Sequence, residues 1–326
     1  MKTESRPRPF SRAANRAHGF TLVEMLVVIM IIGILMGLLF PALQAVRQSA
    51  RKTHCQANLR QMILATLTYE TAQLEFPPGD NGLGGGVIVP LLPYLKQEYL
   101  FELEGNGPGE GETYEDLLQE LCELEVEVLL CPASYPTENM TNVFGRGDFT
   151  THYYGISGPT GTAQSTDGSE QYNYREYAPL SSEGPIGTQG VFSPEMNSGR
   201  FIPKKMSDLR DGASYTFAFG EISGFEENSG IAALQEISRG GWAYGATYDT
   251  GGRLLETWGI KSVSFPINAR EGQLNNLPFS SNHPSGAQFA LLDGAIRYVD
   301  QRIPVDVLKG FCSINEVEKP QNLDDF

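Results

Sequence analysis

Between Phe20 and Phe40 the chain runs for 21 residues with a single charge, Glu24. Fourteen of these residues are Leu, Ile, Val or Phe. As an α-helix rising 1.5 Å per residue, the run is about 30 Å long, the thickness of a bilayer's hydrocarbon core. On the insertion scale those fourteen side chains contribute about −6 kcal/mol, against about +2.5 kcal/mol for an acid at the bilayer centre. Glu24 lies near one end, where its cost falls. No second run of this kind occurs. The sequence therefore predicts one membrane pass.

Charge orients that pass. Residues 1–19 carry Lys2, Arg6, Arg8, Arg12 and Arg16 against Glu4, a net charge of +4. The whole chain of 326 residues has a net charge of −15, so the rest stands at −19. The basic flank should stay in the cytoplasm and the C-terminal bulk should cross. Arg47, Arg51 and Lys52 follow the run, weakening this bias without reversing it. The acidic remainder argues against nucleic acid as a partner, because phosphate binding needs a concentrated basic footprint.

A secretory signal has a shorter apolar core and a small-x-small cut site, and neither is present. A plain anchor explains the length but not the acid five residues into the helix. The residues Gly19-Phe20-Thr21-Leu22-Val23-Glu24-Met25-Leu26 resemble the type IV prepilin processing motif, G-F-T-L-x-E. That resemblance implies a cut between Gly19 and Phe20 by a prepilin peptidase/methyltransferase, and N-methylation of Phe20. It also implies that Glu24 neutralises the Phe20 amine of a neighbouring subunit in an assembly. A charge buried without its partner costs several kcal/mol, so such a pairing would set register.

Helical periodicity continues beyond the span. Pro41 should stop or kink the helix locally. Beyond it, Leu43, Val46, Ala50, Cys55, Leu59, Met62, Ile63 and Leu67 recur at three- and four-residue steps until Glu75-Phe-Pro-Pro-Gly79. The reading is one long bent spine helix over 20–75, first lipid-facing and then amphipathic. Residues 1–19 form the leader and 76–326 a globular head. The fold class is α+β: a long N-terminal pilin-like helix packed on an antiparallel-sheet-rich head.

Within the head, Val89 opens a helix to about 103, and Thr113-x-x-Asp116 reads as a capping box before a short acidic helix. Glu125–Leu130 reads as a strand, and residues 155–190, rich in Gly, Ser, Thr, Pro and Gln, as a long excursion. Ser207–Gly212 is a helical turn before a strand at 214–222, and Gly241–Tyr248 is a further strand. Asp293-Gly294 between two β-prone runs predicts a hairpin with a two-residue type I′ turn. Pro304–Lys309 follows as a short helix.

Leu91-Leu-Pro-Tyr-Leu, Leu130-Cys-Pro, Gly190-Val-Phe, Asp211-Gly-Ala-Ser, Gly220-Glu, and His283 followed by Asp293-Gly294 carry a second resemblance. The chain is similar to prepilin-like proteins bearing the DUF1559 domain and an H-x9-D-G C-terminal signature. It departs at Asp211-Gly-Ala-Ser-Tyr, where D-G-T-S-N is usual, and in the acidic stretch 110–127. The resemblance implies an architecture and no established activity.

Catalytic chemistry finds little footing. There is no G-x-S-x-G, H-x-x-H or H-E-x-x-H, and the loops at Gly84-Gly-Gly86 and Gly251-Gly252 lack the lysine of a phosphate cradle. His283 and Asp293 read as a loop residue and a turn residue of the hairpin. No metal site or cofactor is expected. The one weak alternative is Ca²⁺, with oxygens from Asp211, Glu221 or Asp249, though no EF-hand spacing is present. Four cysteines, Cys55, Cys122, Cys131 and Cys312, allow three pairings on the exported side. The family resemblance implies Cys55 with Cys131, tying spine to head. Cys122 and Cys131 are not spaced as a zinc finger.

The expectation is a pilin- or pseudopilin-like structural or secretion-associated membrane protein, not an enzyme. It would sit in the inner membrane with its N-terminus cytoplasmic and its head outside, available for a surface filament. Its partners would be the prepilin peptidase/methyltransferase, other pilin-like subunits and the lipid bilayer. The alternative is a membrane-tethered binding module for a glycan or a surface protein.

Overall fold

The computed structural model describes residues 21–109, 111–134, 149–164, 171–178, 183–194, 196–197, 200–224, 241–248 and 253–315. The leader 1–19, the processing residues Gly19 and Phe20, and Asp249 lie outside the described residues. The chain divides into two compact units, 1–47 and 48–326.

The described part of the first unit is helical and apolar. Helix α1 (Leu22–Gln73) begins there, and every residue from 21 to 47 is exposed. It is one helix long and apolar enough to cross a membrane. Pro41 does not interrupt it. A single missing N–H is tolerated in a span of this length, where the neighbouring backbone bonds hold the helix together.

In the second unit α1 changes character. Cys55, Asn58, Leu59, Met62, Ile63, Ala65 and Thr66 are buried, a stripe at three- and four-residue steps. The helix ends where Leu74 turns left-handed, at φ 60°, its N–H bonding the Glu70 carbonyl. Pro77 and Pro78 then prevent continuation.

The buried stripe lies against a five-stranded sheet. Its strands are β1 (Tyr153–Pro159), β2 (Phe217–Glu221), β3 (Ile260–Val263), β4 (Gly286–Leu291) and β5 (Ile296–Asp300). Their spatial order is β3-β1-β2-β4-β5. Only β1 and β3 run parallel; the other neighbours are antiparallel. All residues of β1, β2, β3 and β4 are buried, so the sheet is covered on both faces. Ala290 and Phe219 join the core that contains Leu59 and Met62 of α1. Ala287, Phe289 and Leu291 point to the other core, with Phe279, Leu308 and Phe311. There Phe217, Phe289 and Phe311 make a ring cluster, with centroids 4.7 Å and 5.4 Å from Phe217. Each such side chain contributes roughly 1.5–3 kcal/mol on burial.

Several elements differ from the sequence reading. The helix expected from Val89 splits into a 3-10 segment (Val89–Leu95) and α2 (Glu98–Gly105), broken by Lys96 at φ 60°. The capping box at Thr113 forms and opens α3 (Tyr114–Cys122). Glu125–Leu130 is not a strand but contains a 3-10 turn, Glu127–Leu129. Val126 and Leu129 are its buried apolar residues, a spacing of three rather than two. The excursion at 155–190 hides β1, whose Gly155, Gly158 and Pro159 disguise a central strand. Ser207–Gly212 is served by a 3-10 turn, Met206–Asp208, and of Gly241–Tyr248 only Ala246–Tyr248 is strand. The hairpin is present, but its turn is a three-residue loop rather than type I′. Of Asp293 and Gly294 only the glycine has positive φ, 88°, and the Leu291 N–H bonds the Ala295 carbonyl at 2.8 Å. That is a type I turn with a glycine bulge. The last helix is α4 (Val305–Phe311).

Candidate functional site

Two places concentrate chemistry, one in each unit. In the first, Thr21 and Glu24 form a reciprocal cap on α1. The Thr21 N–H and hydroxyl both donate to Glu24 Oε2 at 2.8 Å, and the Glu24 N–H donates to Thr21 Oγ1 at 3.3 Å. The first turn of a helix has unpaired N–H groups and a partial positive charge, so a carboxylate there is stabilised twice over. Glu24 therefore has a local partner before any assembly. The sequence carries this signal as Thr21-x-x-Glu24, within the processing motif.

The second place is buried, in unit 48–326. Cys55 of α1 is joined by a disulfide to Cys131, at the turn 131–134, closing a sequence separation of 76. Around it, His283 directs Nε2 to within 3.6 Å of Cys131 Sγ and 3.5 Å of Glu221 Oε1. Cys55, Cys131, Glu221 and His283 each offer one ligand atom, and all four lie within 4.8 Å of one another. The four residues are at most 4% exposed. Among the described residues this is the one group of three or more such side chains.

Each member is held from behind. Glu221 ends β2; its Oε1 accepts from the Ser223 hydroxyl at 2.6 Å and its Oε2 from the Gln288 N–H of β4 at 3.3 Å. His283 sits in the turn before β4, its N–H donating to Ser281 Oγ, which donates in turn to the Gly286 carbonyl. The Cys131 N–H donates to Nδ1 of His152 at 2.8 Å. Asn58, one turn along α1 from Cys55, donates to the Leu130 carbonyl at 2.9 Å. The Gln288 side chain donates to the Lys52 carbonyl, and the Lys52 ammonium lies 3.3 Å from the centre of the Tyr298 ring.

Burial governs the electrostatics. Desolvation pushes Glu221 up to about 7, although Ser223, Gln288 and nearby Lys52 favour its charge. Desolvation first, and the Lys52 cation second, bring His283 down to about 4. Burial lowers His152 to about 4 as well, consistent with a neutral ring accepting at Nδ1. Lys52 itself is lowered by desolvation, opposed by Glu221. Burial thus disfavours charge on both His283 and Glu221.

The residues singled out in the sequence fall as follows. Cys55, Cys131 and His283 come together; Asp293 and Gly294 stay in the hairpin turn, where Asp293 Oδ1 accepts the Ala295 N–H at 2.8 Å. Of the proposed Ca²⁺ oxygens, Glu221 joins the cysteines and histidine, Asp211 does not belong to that group, and Asp249 is outside the described residues. His152, Ser223 and Lys52 carry no sequence signal for a place beside this group. Each is a lone residue in its stretch of sequence, and only the sheet order brings β1, β2 and β4 beside one point of α1.

The protein family described as protein of unknown function (DUF1559) matches residues 44–306, and the prokaryotic N-terminal methylation motif matches residues 14–40. Among curated proteins, type II secretion system core protein G of Escherichia coli (strain K12) is 34% identical over 88 residues, 27% of this chain and 61% of the relative. The protein of the same name from Dickeya chrysanthemi is 31% identical over 85 residues, 26% of this chain and 56% of the relative. The chain thus spans about three-fifths of the length of these relatives. No solved structure matches it.

Proposed function

The chain belongs to the DUF1559 family, and we propose that it is a pilin- or pseudopilin-like structural subunit of the inner membrane, associated with secretion or with a filament. The match of residues 14–40 to the N-terminal methylation motif carries this reading, because its residues 22–40 form the exposed apolar start of α1. The likeness to secretion core proteins supports a subunit over a glycan-binding tether and over an enzyme.

In this account a prepilin peptidase cuts after Gly19 in the cytoplasm, and Phe20 becomes the N-methylated terminus. The new ammonium then stands beside the positive end of α1, where a cation is unfavourable. Glu24 offsets it. While the subunit is alone in the bilayer, Glu24 is occupied by Thr21; on assembly with other pilin-like subunits it can exchange that hydrogen bond for a neighbour's Phe20 amine. The head, 76–326, lies on the far side of the membrane.

Glu24→Ala tests this. Cross-linking in intact cells should show wild-type multimers and their loss in the variant, with the membrane fraction still containing the protein. An unchanged cross-linked ladder would contradict the role of Glu24 in assembly, and no ladder in wild type would leave only a tether.

A further inference from the structure

The disulfide, imidazole and carboxylate gathered behind α1 are more than a staple needs. A bridge between Cys55 and Cys131 requires no histidine against its sulfur and no buried acid beside that histidine. Burying Glu221 and His283 at 0% and 4% exposure costs free energy, and the fold nevertheless orients both. Ser223 and the Gln288 N–H fix the carboxylate, and Ser281 fixes the turn carrying the imidazole. This is how metal ligands are held: first by the ligand set, then by hydrogen bonds behind it.

The distances point the same way. A tetrahedral zinc-type ion, with bonds of about 2.3 Å to sulfur and about 2.0–2.2 Å to nitrogen and oxygen, sets its donor atoms roughly 3.4–3.8 Å apart. His283 Nε2 is 3.6 Å from Cys131 Sγ and 3.5 Å from Glu221 Oε1. Two thiolates, one imidazole and one carboxylate make a full tetrahedral set, with the mixed N, S and O character that suits Zn²⁺ and not Ca²⁺.

We propose that Cys55, Cys131, Glu221 and His283 form a redox-gated site for a tetrahedral divalent cation of the zinc type, closed by the disulfide and opened by its reduction. A dithiol reductant attacks one cysteine sulfur, passes through a mixed disulfide, and leaves as its own disulfide. Two electrons and two protons go to Cys55 and Cys131. The cation then displaces the two thiol protons, and the carboxyl proton of Glu221 where it is present, releasing them to solvent, and binds both thiolates together with His283 Nε2 and the Glu221 carboxylate. The covalent link between α1 and the Cys131 loop is replaced by a coordinate one, so the spine stays fastened to the head in either redox state. Pro132, Asn282 and Pro284, each next in sequence to a buried member of the site, are exposed.

Full-length protein in detergent, reduced with dithiothreitol and desalted without oxygen, is titrated with Co²⁺ and then Zn²⁺. Wild type should take up a single Co²⁺ per chain with a thiolate-to-cobalt charge-transfer band, which Zn²⁺ abolishes. The oxidised protein should show no band. Cys55→Ser/Cys131→Ser should show none either, although Cys122 and Cys312 remain. His283→Ala and the near-isosteric Glu221→Gln should each weaken Co²⁺ binding about tenfold or more, read by chelator competition. Their disulfide, formed on reoxidation, reports that they fold. The proposal is overturned by no uptake in reduced wild type, by equal uptake in the oxidised chain or the double serine variant, by unchanged affinity in both His283→Ala and Glu221→Gln, or by unfolding of the reduced chain whether or not metal is present.

Discussion

Single residues in the head are held to tight tolerances. Gly220 precedes Glu221 on β2, and a Cβ there would meet the Phe279 ring at 2.3 Å and the Phe289 ring at 2.8 Å. Neither ring can yield, since Phe279 and Phe289 already pack at 5.3 Å between centroids. Gly220→Ala should therefore destabilise the head by about 2 kcal/mol, measured as a shift in denaturation midpoint. Asp80 shows a different constraint. It is fully buried, accepting from the Gly82 N–H at 2.6 Å and the Ala246 N–H at 2.7 Å. Desolvation outweighs those bonds and raises it from 3.8 to about 6. The folded chain thus holds this proton more tightly than the unfolded chain. Its contribution is complete below about 3.8 and is lost as pH rises through about 6. A shift of this size corresponds to a stability change on the order of 3 kcal/mol across that window. Thermal melts of wild type and Asp80→Asn over this range should show the slope in the first and its removal in the second; parallel curves would contradict it.

At the scale of elements, the Cys55–Cys131 bridge is the fastening between α1 and the turn at residues 131–134. For a loop of this length the chain-entropy estimate is about 4 kcal/mol. Reduction in the presence of a chelator should lower the unfolding free energy of the full chain by about that amount. The elements legible in the sequence are those whose burial follows a simple period. Leu59, Met62 and Ile63 announce the buried face of α1, and Thr113-x-x-Asp116 announces α3. Elements governed by their neighbours were not legible. The spacing of Val126 and Leu129 cannot be told from a strand in so short a run, because Leu129 is buried by the head around it and not by a sheet. The strand β1 carries two glycines and a proline, which local propensity assigns to turns; burial between β2 and β3 overrides that preference.

At the scale of the whole molecule, the division into an apolar membrane helix and a large head was legible because length and hydropathy need no tertiary information. The buried polar group was not. Its four members come from α1, the Cys131 loop, β2 and the turn before β4, and only the sheet order sets them within reach of each other. Processing ties the molecular account together. Gly19→Val should block leader removal, leaving the variant at precursor mass while wild type is shortened by residues 1–19. The most direct test is mass spectrometry of the N-terminal peptide of the protein isolated from cell membranes. The account predicts a chain beginning at N-methylated Phe20; a chain that begins at Met1, or at any residue other than Phe20, contradicts it.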